Sequence, residues 1–441
     1  MLIEKIKNTF QIKFVSDSLL TTISHAFIGI SGLIINTIVA IHYGSNGLGV
    51  FSQGLSVYML LSLFSTFGIH ISVQKYASQY SNNPEQLSAI LVNSIIAAVM
   101  MSTVVMGAFY LFLEVFPLAL SSQEVYSFIK VICVASPFFA LNKTLNGFFV
   151  GIRSMKIYAA IRLLRWLLLA LGIIYFSTFH FKLESIGRLF IIVEILLLFI
   201  LIVFTKNYWG IFSWKWVKEH IAFGFKNILA GFIGDFGTRV PILIIGYIAG
   251  NEASGLFAYV LTFAKSILMI PQALQKNFNP VFTKNWYENK FDKISLNIYQ
   301  VFKVSVYTVL PVMFLLYIFF MGYTSLFMPP KYLDQTPTLL ILLIGSGAVY
   351  LYGPFSTLLI MTGYLYTNLL RVLIFTGINV FFSYALGLHY GIFGTAIAIS
   401  LSLVMDVFAC NYFYKIKLDI QLIKLTVGQL FFSRKSNING L

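Results

Sequence analysis

Acidic residues are scarce in this chain: fifteen Asp and Glu in 441 residues, against thirty Lys and Arg. Charged residues together make up 10% of it, where a soluble protein carries about a quarter. That shortage excludes an ordinary soluble globule. Cysteine is rarer still. Cys133 and Cys410 both fall inside apolar runs, which excludes a disulfide framework and a cysteine-based metal site; no metal is expected. There is no GxxxxGK[ST] phosphate loop, so an internal ATP motor is not expected either. The polar segment holding Glu4, Lys5, Lys7, Lys13 and Asp17 leads into the first apolar run, and no small-residue cleavage site follows. That run is therefore expected to be a retained anchor, not a removed signal.

What is abundant is apolar surface: 59% of residues are hydrophobic, and the mean hydropathy is +0.86. A bilayer core about 30 Å thick needs roughly 20 residues of helix per crossing. Runs between polar breaks predict twelve spans, near 19–42, 47–70, 88–113, 124–150, 157–178, 186–205, 220–249, 254–282, 296–322, 335–361, 368–387 and 390–414. The runs are continuously apolar instead of alternating, which predicts helices and not a barrel. The longest loops, 71–87, 206–219 and 283–295, are too short to fold alone. The tail from Lys415 includes "DIQLIKLTVGQLFF", too short to span and read as an amphipathic segment on the membrane surface.

Loops on one side hold most of the basic residues, among them Lys156, Lys206, Lys215, Lys218, Lys284 and Lys415, against Lys182 and Lys331 on the other. The positive-inside rule then places both termini of this multi-pass protein in the cytoplasm. The net charge of +15 is accounted for by this topology and by attraction to anionic lipid headgroups, so no nucleic-acid partner is implied.

One turn occurs twice. "HYGSNGLGVFSQ" (His42 to Gln53) returns as "IAGNEASGLFAY" (Ile248 to Tyr259), with Gly44, Gly49 and Phe51 matching Gly250, Gly255 and Phe257 at a constant offset of 206. Six spans separate the copies, so the repeat keeps its membrane orientation and is a parallel one. The alternative, that short outer loops are simply glycine-rich, does not explain why Val50/Leu256 and Ser52/Ala258 also stay in register. The expected architecture is all-α and integral to the membrane, about twelve helices in two parallel six-helix lobes around a central cavity. The expected parts are an N-terminal lobe over 1–205, a cytoplasmic linker over 206–219, a C-terminal lobe over 220–414 and the tail over 415–441.

The stretches "AIHYGSNGLGVFSQGLSVYMLLSLFSTFGIHISVQKYASQY" (Ala40 to Tyr80) and "IIGYIAGNEASGLFAYVLTFAKSILMIPQALQKNFNPVF" (Ile244 to Phe282) resemble the span-one/two and span-seven/eight signatures of Wzx-type polysaccharide flippases. These belong to the multidrug/oligosaccharidyl-lipid/polysaccharide exporter superfamily. Span number and chain length fit over nearly the whole sequence. One departure is local: many relatives carry an Asp-Arg pair ahead of "liiGY", where this chain has Val240-Pro241, with Asp235 and Arg239 further upstream.

Charges inside the spans point to where the chemistry lies. Lys130, Lys143, Arg162, Arg165, Arg188, Lys226, Arg239, Lys265, Lys276, Lys303 and Arg371 fall within or at the ends of spans; the acids there are Glu194, Asp235 and Asp406. A charge at a helix centre costs about 3 kcal/mol on insertion scales, so these groups should face a wet cavity or one another. Arg162, Arg165, Arg188 and Arg371 lie near span ends and are expected to snorkel. Lys265, roughly 16 Å deep at 1.5 Å per residue, is too deep for that. Gln272, Lys276 and Asn279 share its face and extend it into a polar stripe. Asp235 and Arg239, at i and i+4, can pair on a helix that Gly231, Gly234, Gly237 and Pro241 should loosen. Pro271 predicts a second kink, between Lys265 and Lys276. The alternative for each is structural: a packing ion pair or a satisfied polar group.

Excess positive charge in a cavity suits an anionic substrate. The resemblance implies a specific one, an undecaprenyl-diphosphate-linked oligosaccharide moved from the inner to the outer leaflet. On that reading Lys265, Lys276, Arg239 and Lys143 hold the diphosphate, with Lys130, Lys226 and Lys303 as further cavity cations and Gln272 and Asn279 as polar lining. No cofactor is expected, and a proton or sodium gradient supplies the energy, with Asp235, Glu194, Asp406 and His25 as the candidate coupling groups. Membrane lipids and polysaccharide assembly proteins are the other expected partners. Two alternatives remain open. A drug/cation antiporter would need an acidic, aromatic pocket; a membrane glycan polymerase or ligase would need a larger outer loop with clustered Arg, His or Glu.

Overall fold

In the computed structural model every regular element among the described residues is helical. The structure describes residues 27–116, 121–424 and Thr426, apart from the side chains of Lys226, Asn227 and Ala230; residues 2–26 are described as helical backbone only. The helices are α1 (Leu2–Thr66), α2 (Ile69–Gln79), α3 (Pro84–Val115), α4 (Gln123–Ile132), α5 (Ser136–Gly151), α6 (Met155–Thr178), α7 (Leu183–Thr205), α8 (Trp214–Ser266), α9 (Met269–Tyr287), α10 (Phe291–Phe327), α11 (Pro330–Leu333), α12 (Thr336–Tyr352), α13 (Leu358–Met361) and α14 (Leu365–Leu418).

Apolar runs in lipid must satisfy their backbone internally, which only helices do without a partner strand. Local chemistry sets where they start. Asn83 caps α3, its Oδ1 accepting from Gln86 N at 3.1 Å while Pro84 fills the first turn. Ser122 caps α4 by accepting from Val125 N at 3.3 Å.

Nine helices or helix runs among the described residues are long and apolar enough to cross a membrane. Three of them are broken by a glycine outside helical geometry: Gly44 (φ 69°, ψ −178°), Gly250 (φ 83°, ψ 175°) and Gly391 (φ 54°, ψ −130°). Each of the three therefore holds two arms, and the nine become twelve crossings of a multi-pass, all-α membrane protein. The two turns matched in sequence also match in backbone conformation, a left-handed φ with extended ψ that glycine adopts without a Cβ penalty. Gly391 lies just past the expected break at 388–389. The kink expected from Pro271 is present: the helix is interrupted at Ile267–Leu268, one turn before the proline, where the missing proline N–H would have bonded.

The chain divides into two compact units, Met1–Gly255 and Leu256–Leu441. The boundary falls at the second glycine turn and not in the 206–219 linker, because the first arm of α8 packs on α1. Phe64 and Phe232 lie 4.0 Å apart by ring centroid. At the glycine-turn end of this unit Gln53 Nε2 donates to Asn251 Oδ1 at 3.0 Å, Ser121 Oγ to Gln53 Oε1 at 2.6 Å, and Asn251 Nδ2 to Ser122 Oγ at 3.0 Å. Ser45 Oγ donates to Glu252 Oε1 at 2.7 Å beside them. At the opposite end α8 is fixed to α2 and α3: Ser72 Oγ meets His220 Nδ1 at 2.8 Å, His220 Nε2 meets Ile90 O at 3.2 Å, and Tyr76 Oη donates to Glu219. Burial and that carboxylate push the Tyr76 phenol up to about 12, so it stays a donor.

In the second unit Phe278, Phe282, Phe302, Phe355 and Tyr414 form an aromatic core, and Tyr414 Oη donates to Phe355 O at 2.7 Å. Ile420 and Leu422 are buried in that same core. The start of the tail thus packs into its own unit; residues 427–441, where the surface segment was expected to continue, lie outside the described residues.

Candidate functional site: a buried cationic cluster

Five intramembrane charges of the first unit, Lys143, Arg165, Glu194, Asp235 and Arg239, are drawn together, while Arg188 is exposed. α5 begins after a 3₁₀ turn, Cys133–Ala135, with Pro137 in its first turn, and carries Asn142 and Lys143. α6 supplies Arg165, α7 supplies Glu194, and the first arm of α8 supplies Asp235 and Arg239.

Arg165 and Glu194 form an ion pair: a terminal guanidinium nitrogen donates to Oε2 at 3.0 Å, while Nε lies 2.9 Å from Oε1 outside hydrogen-bond geometry. Side-chain exposure is 12% for the arginine and 1% for the glutamate, so the pair is inside the bundle. Asn142 Nδ2 donates to Glu194 Oε2 at 2.7 Å and to the Glu194 carbonyl at 2.8 Å. Buried ion pairs persist when further hydrogen bonds complete their shells, as Asn142 does here. The Phe139 ring supports the cations: the Arg165 guanidinium lies 4.7 Å from its centroid and Lys143 Nζ 5.9 Å.

Asp235 acts electrostatically on both Lys143 and Arg239. Arg239 Nε is buried without a hydrogen-bond partner, and so is Asn142 Oδ1. Three cations and two carboxylates leave this cluster with an excess of one positive charge. Chemically, it offers guanidinium and ammonium donors to an anion and has no group placed as an activated nucleophile. Among the described residues no three His, Cys, Asp or Glu side chains gather as a metal site.

The structure therefore brings Lys143, Asp235, Arg239 and Glu194 into one region. It corrects the reading of Arg165 and Arg371 as snorkelling residues. Arg371, 7% exposed, pairs with Asp406 at 2.8 and 3.0 Å and also reaches Cys410 Sγ at 2.9 Å and Asn368 Oδ1 at 3.3 Å. The signal was present: Arg165 and Arg371 stand 206 residues apart, the offset of the turn glycines, and each precedes a single acid in the next span.

Other expected site residues are placed differently. Lys265, Gln272 and Lys276 are all exposed, while Asn279 Oδ1 accepts from Thr357 Oγ1 at 3.0 Å. Lys130 lies over the Tyr126 ring at 5.1 Å, thirteen residues before Lys143 in the same span. Lys303 is exposed on the α10 stripe that carries Tyr307, Leu310 and Phe314, apolar groups each more than 60% exposed. The side chains of His25 and Lys226 lie outside the described residues.

A family model described as polysaccharide biosynthesis protein matches residues 14–287. No curated protein matches the chain in sequence. Solved structures with the same fold include a multidrug resistance MATE family transporter of the MOP superfamily in an inward-facing conformation, 13% identical, with a TM-score of 0.70 over 90% of this chain and 96% of that one. They also include the lipid II flippase MurJ in an inward closed conformation, 17% identical, with a TM-score of 0.71 over 94% of this chain and 91% of that one. A third, a MOP superfamily transporter from Pyrococcus furiosus, is 14% identical with a TM-score of 0.58 over 94% of this chain and 96% of that one; the reverse polarity of its binding pocket suggests a different function for it.

Proposed function

Because this chain belongs to the polysaccharide biosynthesis protein family, we propose that it is a flippase for an undecaprenyl-diphosphate-linked oligosaccharide, the repeat unit of an O-antigen or other surface polysaccharide. It moves the lipid-linked glycan from the inner to the outer leaflet of a bacterial cytoplasmic membrane, with both termini cytoplasmic, and performs no covalent chemistry. The observation that carries the reading is the sign of the buried charge: Lys143, Arg165 and Arg239 against Glu194 and Asp235. A diphosphate is the part of such a lipid that seeks guanidinium and ammonium donors. Arg165 is already held by Glu194, so Lys143 and Arg239 are the donors that engage it. The same role is proposed for Lys265 and Lys276, with Gln272 and Asn279 beside them.

The carboxylates divide in function. Glu194 and Asp406 are each occupied by an arginine, which suits them to holding helices together. Asp235, shared between Lys143 and Arg239, is the better candidate for coupling to a proton or sodium gradient. Alternating exposure of the cluster to the two sides completes the cycle.

A drug/cation antiporter is the second reading, supported by the fold shared with the MATE transporter. The positive excess argues against it, since a cationic drug would be repelled. Deleting the gene in its host separates these. Lipid-linked glycan stranded on the inner leaflet, with surface polysaccharide lost, supports the flippase; normal surface polysaccharide without a redundant carrier removes it.

A further inference from the structure

At the glycine-turn end of the first unit three chain turns enclose a cleft of about 280 Å³, just below the usual size range of sites for drug-sized ligands, roughly 300–1,000 Å³, and so sized for a smaller group. It lies apart from the cationic cluster in chemistry. Its floor is apolar, built from Val50, Phe128 and Leu183. Tyr43 stands at the wall with its ring fixed, because Tyr43 Oη donates to Phe181 O at 2.8 Å. The rim carries Glu124, Glu184 and Lys182. Asn46 Nδ2 donates to Glu124 Oε2 at 2.9 Å and so orients that carboxylate.

We propose that this cleft binds one sugar ring of the translocated glycan, a neutral or amino-substituted one. An apolar floor and a fixed aromatic wall suit the C–H face of a pyranose, while carboxylate oxygens accept from its hydroxyl groups. Two carboxylates against one ammonium give the rim a net negative charge, which repels a diphosphate or a uronic acid. A protonated amino sugar is attracted by the same groups. The cleft and the cluster thus select opposite ends of one substrate: the cluster takes the anionic linkage and the cleft takes the saccharide. Binding at the cleft biases the substrate toward the glycine-turn end of the bundle. The assignment of this saccharide to a transported lipid rests on the flippase reading; the cleft's preference for sugars does not.

Ligand-observed NMR on the full-length protein in nanodiscs tests it, with methyl glucoside, glucosamine and glucuronate as separate probes. Methyl glucoside and glucosamine should bind and be displaced by each other, and glucuronate should bind at least fivefold more weakly than either. Glu184→Gln should weaken glucosamine binding at least tenfold. Asn46→Trp, which places bulk over the cleft at an exposed position, should abolish binding of all three without lowering the melting temperature. Equal binding of glucuronate, insensitivity to both substitutions, or no saccharide binding at all would overturn the proposal. Saccharide binding in a protein that moves no lipid-linked glycan would remove the flippase reading and leave the cleft standing; transport without saccharide binding would do the reverse.

Discussion

Gly49 and Gly255 meet the same obstacle with the partners exchanged. A Cβ on Gly49 would fall 1.7 Å from the carbonyl oxygen of Asn251, and one on Gly255 would fall 2.1 Å from that of Ser45. Ser45 and Asn251 are separated by the same 206 residues as Gly49 and Gly255. A contact in which each member touches the other's counterpart is what a two-fold relation produces. The duplicated turn is therefore packed against its own copy, and both glycines are required by backbone approach.

Gly49→Ala and Gly255→Ala should each lower stability by about 1–3 kcal/mol, because backbone atoms cannot move aside as a side chain would. The double variant should lose less than the sum, since both changes open one crossing. Melting temperatures in detergent check this. Full additivity would mean that the two crossings relax independently.

Asn251→Ala removes a side chain that accepts from Gln53 and donates to Ser122. Leaving buried polar groups unmet costs about 1–3 kcal/mol. Hydrogen exchange should rise in the 45–53 and 249–255 segments, and an unchanged exchange pattern would show that the polar knot does not hold the turns.

Glu194→Gln leaves the Arg165 guanidinium buried beside a neutral amide. Breaking a buried pair on one side costs roughly 3–5 kcal/mol, whereas removing both charges can be neutral. Thermal unfolding should therefore show a large loss for Glu194→Gln and recovery in Arg165→Met/Glu194→Leu. If Glu194 instead carries the coupling ion, the double variant will be stable and the single variant will lose ion dependence without losing stability. Asp406→Asn should act in the same direction but less strongly, because Asp406 is 22% exposed.

Lys303→Ala should leave transport at the wild-type rate. Its stripe on α10 is shared with Tyr307, Leu310 and Phe314, the composition of a surface that meets lipid tails. A loss of transport in a folded Lys303→Ala protein would put that stripe on the substrate path.

Much of the architecture was legible because each signal had a single physical cause. Lipid leaves a long apolar run no option but helix, and a left-handed φ at Gly44 and Gly250 leaves little option but glycine. The grouping of Lys143, Asp235 and Arg239 was legible in part, since charges in lipid must find one another. Arg165 and Arg371 were misread for a specific reason. Distance from a span end measures depth along the helix, while burial depends on rotation and on the neighbouring helix. Neither is fixed by the helix's own residues: Arg165 faces α7 and Lys303 faces out, although both lie about ten residues from the start of their helices. The saccharide-sized cleft had no sequence signal, because its residues come from three separate turns.

On the proposed function, Lys143 and Arg239 hold an anionic linkage during translocation. Purified protein reconstituted into liposomes, supplied with an undecaprenyl-diphosphate-linked glycan on one leaflet, tests it most directly. Lys143→Ala and Arg239→Ala should each slow appearance of the glycan on the other leaflet at least tenfold while the protein remains folded, and Lys143→Arg should retain much of the rate. Wild-type rates in both alanine variants would contradict the account.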